Sequence, residues 1–181
     1  MAINQGNPMM VTITRPAAAE YAPYYSRYID LVPQGDIVDL LAGQIEKTLS
    51  LLARVDHEKA EYRYAPDKWS VKEVVGHVVD TERVFAFRAF AFSRNDSNPL
   101  PGMEQEDYAR AANYHDRPLQ DILEEFREVR RSTISLCRSF DEGMLMRRGI
   151  ASECEFSVRS LPYIIAGHEL HHMRVLQDKY L

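Results

Sequence analysis

The sequence has little of several features that mark particular classes of protein. Only two of its 181 residues are cysteine and only one is tryptophan. Two thiols, Cys137 and Cys154, in a chain without a secretion signal favour separate reduced thiols over a disulfide bridge. No run approaches the ~18 consecutive apolar residues of a membrane span, and the N-terminus has no cationic segment followed by an apolar core. We therefore expect a cytoplasmic protein with no membrane partner.

An excess of positive charge is also missing. Lys and Arg number 22 against 27 Asp and Glu, so the net charge is −5. Nucleic-acid-binding proteins usually present a basic surface to the phosphates, and nucleic acid is therefore not an expected partner. The chain shows no internal repeat. Its length suits one domain that buries roughly 70% of its unfolded surface, so we predict a single domain over residues 1–181.

Four segments with helical periodicity account for most of the chain. Their apolar residues recur every three or four positions, which predicts amphipathic helices over residues 36–55, 70–92, 118–140 and from about 161 to the end. Ser70 and Glu73 form a capping-box pattern, and Pro162 must lie in the first turn of its helix. This pattern predicts an all-α fold, a four-helix bundle over residues 36–181, with residues 1–35 as an N-terminal extension that packs on it.

The connection between the second and third long helices is too long for a simple helix hairpin. A loop of this length, residues 94–117, usually crosses a bundle or shapes a site. We expect a short helix within it at about residues 104–113. Residues 149–158 are the one other segment that favours extended structure.

Three histidines lie within the stretch AGHELHH, residues 166–172. On a helical wheel His168 and His172 are about 40° apart on the apolar face. His171 is rotated about 60° from His168 in the other direction and lies at the edge of that face. Two inward imidazoles one turn apart can bind one ion at ~2.0 to 2.1 Å. The spacing alone is weak evidence, but neutral histidines on an apolar face need polar partners.

A third inward histidine comes from another helix. His77 shares its helix face with apolar residues of the second segment, whereas His57 and His115 have polar neighbours and are predicted to be exposed. Three imidazoles from two helices, with no evident fourth protein ligand, predict a metal site with positions open to water or substrate. Zinc, nickel, iron and copper all suit imidazole ligands.

Several neighbours of these histidines allow two interpretations. Glu73 and Asp80 could orient the ring of His77, although a solvated helix face is the favoured interpretation. Trp69 is predicted to staple the helix start to the core rather than to stack on a substrate. Arg83 and Arg88 could bind an anionic substrate, with ion pairing across the bundle favoured.

The stretch also matches the zincin motif H-E-x-x-H, in which Glu169 would be the general base of a metalloprotease. The residues after His172 supply no third histidine and only Asp178 as an acid. No strand-rich segment is available to hold a peptide. A protease is therefore the less favoured hypothesis.

Three blocks of the sequence resemble one protein family. Residues 63–90 (RYAPDKWSVKEVVGHVVDTERVFAFRAF), 99–108 (PLPGMEQEDY) and 157–180 (SVRSLPYIIAGHELHHMRVLQDKY) are similar to the DinB-like and YfiT-like superfamily of bacterial metal-binding four-helix bundles. The resemblance spans roughly residues 36–181, and its most specific parts are Trp69 to His77 and Gly167 to His172. It implies that His77, His168 and His172 are the metal ligands and that His171 is not.

The resemblance also implies a cofactor and partners. These are a divalent ion such as zinc or nickel, a second copy of the chain in a homodimer, and a low-molecular-weight thiol such as bacillithiol or mycothiol. The leading hypothesis is a metal-dependent thiol S-transferase or hydrolase that acts on a small molecule. The alternatives are a non-catalytic stress-response or binding bundle with a structural or vestigial metal site, and an interaction protein whose histidines are core polar groups.

Overall fold

Residues 11–181 are described by a computed structural model. Over this range the chain is mainly helical and has one β-hairpin. The α-helices are α1 Ser26–Ile29, α2 Ile37–Leu52, α3 His57–Glu61, α4 Val71–Ser93, α5 Gln105–Ala111, α6 Leu119–Arg138, α7 Glu142–Met146 and α8 Ser160–Lys179. The strands are β1 Arg148–Ala151 and β2 Cys154–Ser157, and short 3₁₀ turns cover Ala18–Glu20, Pro23–Tyr25 and Tyr114–Asp116.

The four long helices α2, α4, α6 and α8 confirm the predicted four-helix bundle. Their ends lie within a few residues of the predicted limits. Both α2 and α4 pack against α6 and α8, which places α2 and α4 at opposite corners of the bundle. The predicted long loop joins α4 to α6 and contains α5 where a short helix was expected. The predicted extended segment is the antiparallel hairpin of β1 and β2.

Local interactions at the helix starts explain why the long helices begin where they do. The Ser70 backbone N–H donates to Glu73 Oε2 at 2.7 Å, and the Glu73 N–H donates to Ser70 Oγ at 3.3 Å, so the predicted capping box is confirmed. Asp36 caps α2 by accepting from the Val38 N–H at 2.8 Å. Pro162 lies in the first turn of α8, where the missing N–H costs no hydrogen bond.

The N-terminal segment packs on the helix that carries two of the histidines. Residues 1–10 of the predicted extension lie outside the described residues. The division of the domain into an extension, residues 1–35, and a bundle, residues 36–181, stays a prediction. Within the described part, α1 packs against α8. The close approach requires Gly167, because a Cβ there would lie 2.0 Å from the carbonyl oxygen of Tyr28.

The core consists of two apolar clusters. Along α4, α6 and α8, buried charged residues lie between members of the two clusters. Glu82 comes between Val79 and Phe85, and Arg130 and Glu169 take corresponding places in α6 and α8. The bundle therefore has a polar layer in its middle, at the level of the histidines. Within residues 11–181, no helix combines the length and the apolar character that crossing a lipid bilayer requires.

Candidate metal centre

Three histidine rings meet between α4 and α8. His77 comes from α4, and His168 and His172 are one turn apart on α8. Nε2 of His168 lies 3.2 Å from Nε2 of His77 and 3.1 Å from Nε2 of His172. One potential ligand atom from each ring lies within 4.8 Å of the other two. The structure thus brings together the three histidines that the sequence identified.

Hydrogen bonding cannot account for both short contacts. Nε2 of a neutral imidazole either carries one hydrogen or offers one lone pair. Nε2 of His168 can therefore form a normal hydrogen bond in only one of the two contacts. A tetrahedral ion bound at ~2.0 to 2.1 Å separates its nitrogen ligands by about 3.3 Å. The observed separations of 3.1 and 3.2 Å are close to that value, so the three side chains fit a metal ion.

Burial keeps these imidazoles neutral. His77 and His168 are 3% and 6% exposed, and His172 is half-buried. Loss of solvation lowers the pKa of His77 to about 4 and, with the neighbouring histidines contributing, that of His172 to about 3. Burial, and then the other histidines, hold the pKa of His168 well below its ordinary value. Each ring therefore keeps a lone pair available near pH 7.

Thr81 and Trp69 flank His77. Nδ1 of His77 lies 3.5 Å from the Thr81 hydroxyl one turn along α4, and this hydroxyl can accept from a protonated Nδ1 when the lone pair is on Nε2. The Trp69 ring centre is 4.8 Å from that of His77. Trp69 also packs against the apolar cluster that contains Val74, as the staple prediction requires. The contact with the imidazole was not predicted.

Neither Glu73 nor Asp80 hydrogen-bonds to His77. Glu73 Oε2 pairs with Arg63 Nη1 at 2.6 Å in addition to its capping bond. Asp80 Oδ2 accepts a hydrogen bond from the Tyr114 hydroxyl at 2.6 Å. Both carboxylates are half-buried and paired with nearby side chains, so the expectation that they lie on a solvated helix face is wrong. Neither acid orients the imidazole of His77.

Tyr28 of α1 packs against the histidines of α8. Its ring makes edge contacts with His168 and His171, with centres 5.3 and 5.5 Å apart. His171 is half-buried at the edge of the site and does not belong to the converging group. His57 and His115 are exposed, as predicted.

The carboxylate of Glu169 is committed to a buried network. It accepts from Arg130 Nη2 at 2.7 Å, from Thr48 Oγ1 at 2.6 Å and from Gln44 Nε2 at 2.6 Å. Arg130 also donates to both carboxylate oxygens of Glu82, at 2.9 and 2.8 Å. Glu169 is 0% exposed, whereas a general base must reach a water molecule. The geometry argues against the metalloprotease hypothesis.

This network was missed in the sequence, although α6 carried a signal for it. Arg130 lies on the mainly apolar buried face that includes Ile122, Phe126 and Cys137, and it is fully buried. A charged residue on an apolar helix face indicates a buried partner. Cys137 is buried and Cys154 half-buried, and both are free thiols, as expected.

Two cavities border the histidines. One of about 350 Å³ is lined by Trp69, His171, His172 and Tyr180 together with charged side chains such as Arg27 and Glu106. The other, about 150 Å³, is lined by His168, Thr81 and Arg88. Tyr24, Tyr28 and Gln105 line both cavities. A small molecule could therefore approach the site from either side.

The two arginines of α4 have different surroundings. Arg83 Nη1 pairs with Glu125 Oε1 of α6 at 2.6 Å, which confirms the predicted ion pair across the bundle. Arg88 donates to the Pro101 carbonyl oxygen at 3.1 Å and to Ser152 Oγ at 2.9 Å. Within residues 11–181 it has no carboxylate partner, so the ion-pair prediction is wrong for Arg88.

Comparisons with known proteins agree with this fold. A search of curated proteins gave no match. A solved structure from Bacillus subtilis, YfiT, described as a probable metal-dependent hydrolase with an unusual four-helix bundle topology, aligns with a TM-score of 0.72. The two chains are 14% identical, and the alignment covers 93% of this chain and 95% of that one, which shows a shared fold. The sequence model of the DinB superfamily matches residues 40–176, and because this is most of the chain, the protein belongs to the DinB superfamily.

Proposed function

We propose that the protein is a divalent-metal-dependent enzyme that acts on a small molecule, with hydrolysis as its most favoured reaction. The observation that carries this proposal is the convergence of three neutral imidazole nitrogens, 3.1 and 3.2 Å apart, beside two cavities. His77, His168 and His172 would hold the ion. The description of YfiT as a probable metal-dependent hydrolase gives further support.

The ligand set favours a catalytic site over a structural one. Structural zinc sites are closed by four protein ligands, whereas catalytic sites keep a position open. In the part of the chain that the structure describes, the cluster of possible ligands contains three histidines and no fourth residue. A bound divalent ion would lower the pKa of a coordinated water or thiol and so supply a nucleophile near pH 7.

The remaining side chains have supporting roles. Thr81 would accept a hydrogen bond from Nδ1 of His77 when Nε2 holds the ion, and Trp69 and Tyr28 would restrict the imidazole rings. Restricted rings keep their lone pairs directed to one point, which favours metal binding.

Elemental analysis of protein purified without a histidine tag tests the ligand set. We expect about one divalent ion per chain in wild type and in the His171→Ala control. His77→Ala, His168→Ala and His172→Ala should each lose it, together with activity in a screen of small esters, amides and lactones. Absence of an ion in wild type, even after incubation with zinc or nickel, would refute the proposal.

A cobalt-substituted sample separates an enzyme from a binding bundle with a closed metal site. If a coordination position is open, a small thiol such as mercaptoethanol should bind cobalt(II) and produce a thiolate charge-transfer band. The same experiment tests a low-molecular-weight thiol as cosubstrate, which the family resemblance implies. A spectrum unchanged by thiol and by small anions would favour the non-catalytic alternative.

The homodimer implied by the resemblance is also a proposal. Phe87 and Phe90 on α4 expose 55% and 46% of their surface, which supports an apolar contact with a second copy. Sedimentation equilibrium of wild type beside Phe87→Ser with Phe90→Ser tests it. A monomer at every concentration would refute it. The cytoplasmic location stays a prediction that cell fractionation can check.

A further inference from the structure

Arg88 is a buried cation without an anionic partner. It is 3% exposed, and its guanidinium carbon lies 5.0 Å from the ring centre of Phe85 and 6.0 Å from that of Phe156. A buried arginine is usually paired with a carboxylate, as Arg130 is with Glu82 and Glu169. Arg88 therefore differs from Arg130, the second buried arginine among residues 11–181.

The groups near Arg88 offset little of its charge. Nη2 donates to the Pro101 carbonyl oxygen and to the Ser152 hydroxyl, which are both neutral acceptors. Burial lowers the pKa of Arg88, and the groups that oppose this effect are Tyr25 and Cys154, neither of them a carboxylate. Desolvation of the cation is thus only partly compensated within residues 11–181.

Part of the guanidinium group remains available to a ligand. Among the described residues, Nη2 has two hydrogen-bond partners, and the side chain of Tyr25 also hydrogen-bonds to the guanidinium group. Nε and Nη1 together carry three N–H donors, which is more than one neutral hydroxyl can accept. Every fully enclosed polar side-chain atom in that part of the chain does have a partner. At least part of the guanidinium group must therefore reach open space. Arg88 lines one cavity of about 150 Å³ with His168 and a second of about 280 Å³ with Leu100 and Tyr108. Of the two, the 150 Å³ cavity borders the histidines.

We propose that Arg88 binds a carboxylate group of the substrate in this cavity, beside the metal site. The inference deepens the proposed function and rests on it for the identity of the bound molecule as substrate. One guanidinium group compensates one negative charge, which is the charge of a carboxylate, whereas a phosphate monoester carries about −1.5 to −2. The aromatic rings of Tyr25 and Phe85 would pack on the short carbon chain that bears the carboxylate.

Nuclear magnetic resonance of the metal-free full chain tests this binding without relying on activity. The Nε–H signal of Arg88, identified by its loss in Arg88→Lys, should shift saturably when propionate is added. Propionamide, a neutral molecule of the same shape, should cause no such shift. Arg88→Met should bind propionate at least roughly tenfold more weakly, because a charge-assisted hydrogen bond is lost. Arg83→Met, on the same helix but in an ion pair with Glu125, should bind it as wild type does.

Three outcomes would overturn the inference. These are equal shifts with propionamide, unchanged propionate binding in Arg88→Met, and a response to inorganic phosphate but not to propionate. If Arg88→Met does not fold, the test rests on the wild-type Nε–H signal, which Arg88→Lys identifies. A shift with propionate and none with propionamide would still support the inference, and equal shifts would overturn it. Metal content measured on the same samples separates the two proposals. Arg88→Met should keep its ion, and His168→Ala should lose its ion yet still bind propionate.

Discussion

At the residue scale, the buried histidines should make the stability of the metal-free protein depend on pH. The folded-state pKa of His77, about 4, lies below the ordinary value of 6.5, so the unfolded chain binds more protons between these values. The free energy of unfolding should therefore be highest above pH 6.5 and fall as the pH is lowered toward 4. His77 alone would contribute about 3 kcal/mol across that window.

Urea unfolding of chelator-treated protein at pH 7, 6 and 5 measures this dependence. His77→Gln cannot take up the proton, and its free energy of unfolding should fall less steeply than that of wild type. Parallel curves for the two proteins would mean that His77 is not neutral and buried in solution.

The pairing of Arg130 leads to a second prediction at this scale. Arg130→Met would leave the carboxylates of Glu82 and Glu169 buried without their cation, which typically costs about 3 to 5 kcal/mol. Arg131→Met removes a neighbouring arginine that is 67% exposed and paired with Glu128, so it should change stability by less than about 0.5 kcal/mol. Chemical denaturation measures both, and similar values for the two variants would contradict the structural role of the network.

These residues show how far the sequence could predict the site. His77, His168 and His172 were identifiable because helical spacing placed them on apolar faces. The partners of Glu169 were not identifiable, since Gln44 and Arg130 are 125 and 39 positions away in sequence. The expected ion pair of Arg88 was wrong for the same reason. The loop and hairpin that supply its two acceptors are brought to it by tertiary packing alone.

At the scale of elements, the contact between α1 and α8 depends on a single glycine. In Gly167→Ala the new Cβ would meet the Tyr28 backbone oxygen at 2.0 Å, which a side-chain rotation cannot relieve. We expect a loss of about 1 to 3 kcal/mol, together with weaker metal binding because Tyr28 packs on His168.

Gly43→Ala is the matched control for this prediction. Gly43 lies inside α2 and a Cβ there meets nothing within 4 Å, so alanine should stabilise the helix by up to about 1 kcal/mol. Thermal unfolding and zinc titration of the two variants compare the effects. A neutral Gly167→Ala would show that α1 does not pack closely on α8 in solution.

The long helices were predictable and most of the short ones were not, for a physical reason. Each long helix repeats its apolar pattern over 16 or more residues and carries a start signal such as Ser70 or Pro162. Helix α1 has four residues, too few to show periodicity or to be stable alone. Its helical conformation depends on packing against α8, which the sequence does not encode locally.

At the scale of the whole molecule, the polar layer connects all four corners of the bundle. Thr48 of α2, Glu82 of α4, Arg130 of α6 and Glu169 of α8 form one network between the two apolar clusters. The sequence predicted four helices but not their arrangement, because amphipathic periodicity indicates which face is buried and not which neighbour covers it. The buried network favours this arrangement, because it pairs the cation of Arg130 with the carboxylates of Glu82 and Glu169.

A metal ion joined to α4 and α8 should stabilise this whole arrangement. A ligand that binds only the folded state adds about 2.7 kcal/mol at a concentration 100-fold above its Kd. For a chain of this size that corresponds to a rise in Tm of roughly 5 to 10 °C. Chelator-treated protein titrated with zinc or nickel should show this rise in wild type and His171→Ala but not in His168→Ala. An equal rise in His168→Ala would place the stabilising ion outside the histidine cluster, because that variant lacks the nitrogen to which the other two are closest.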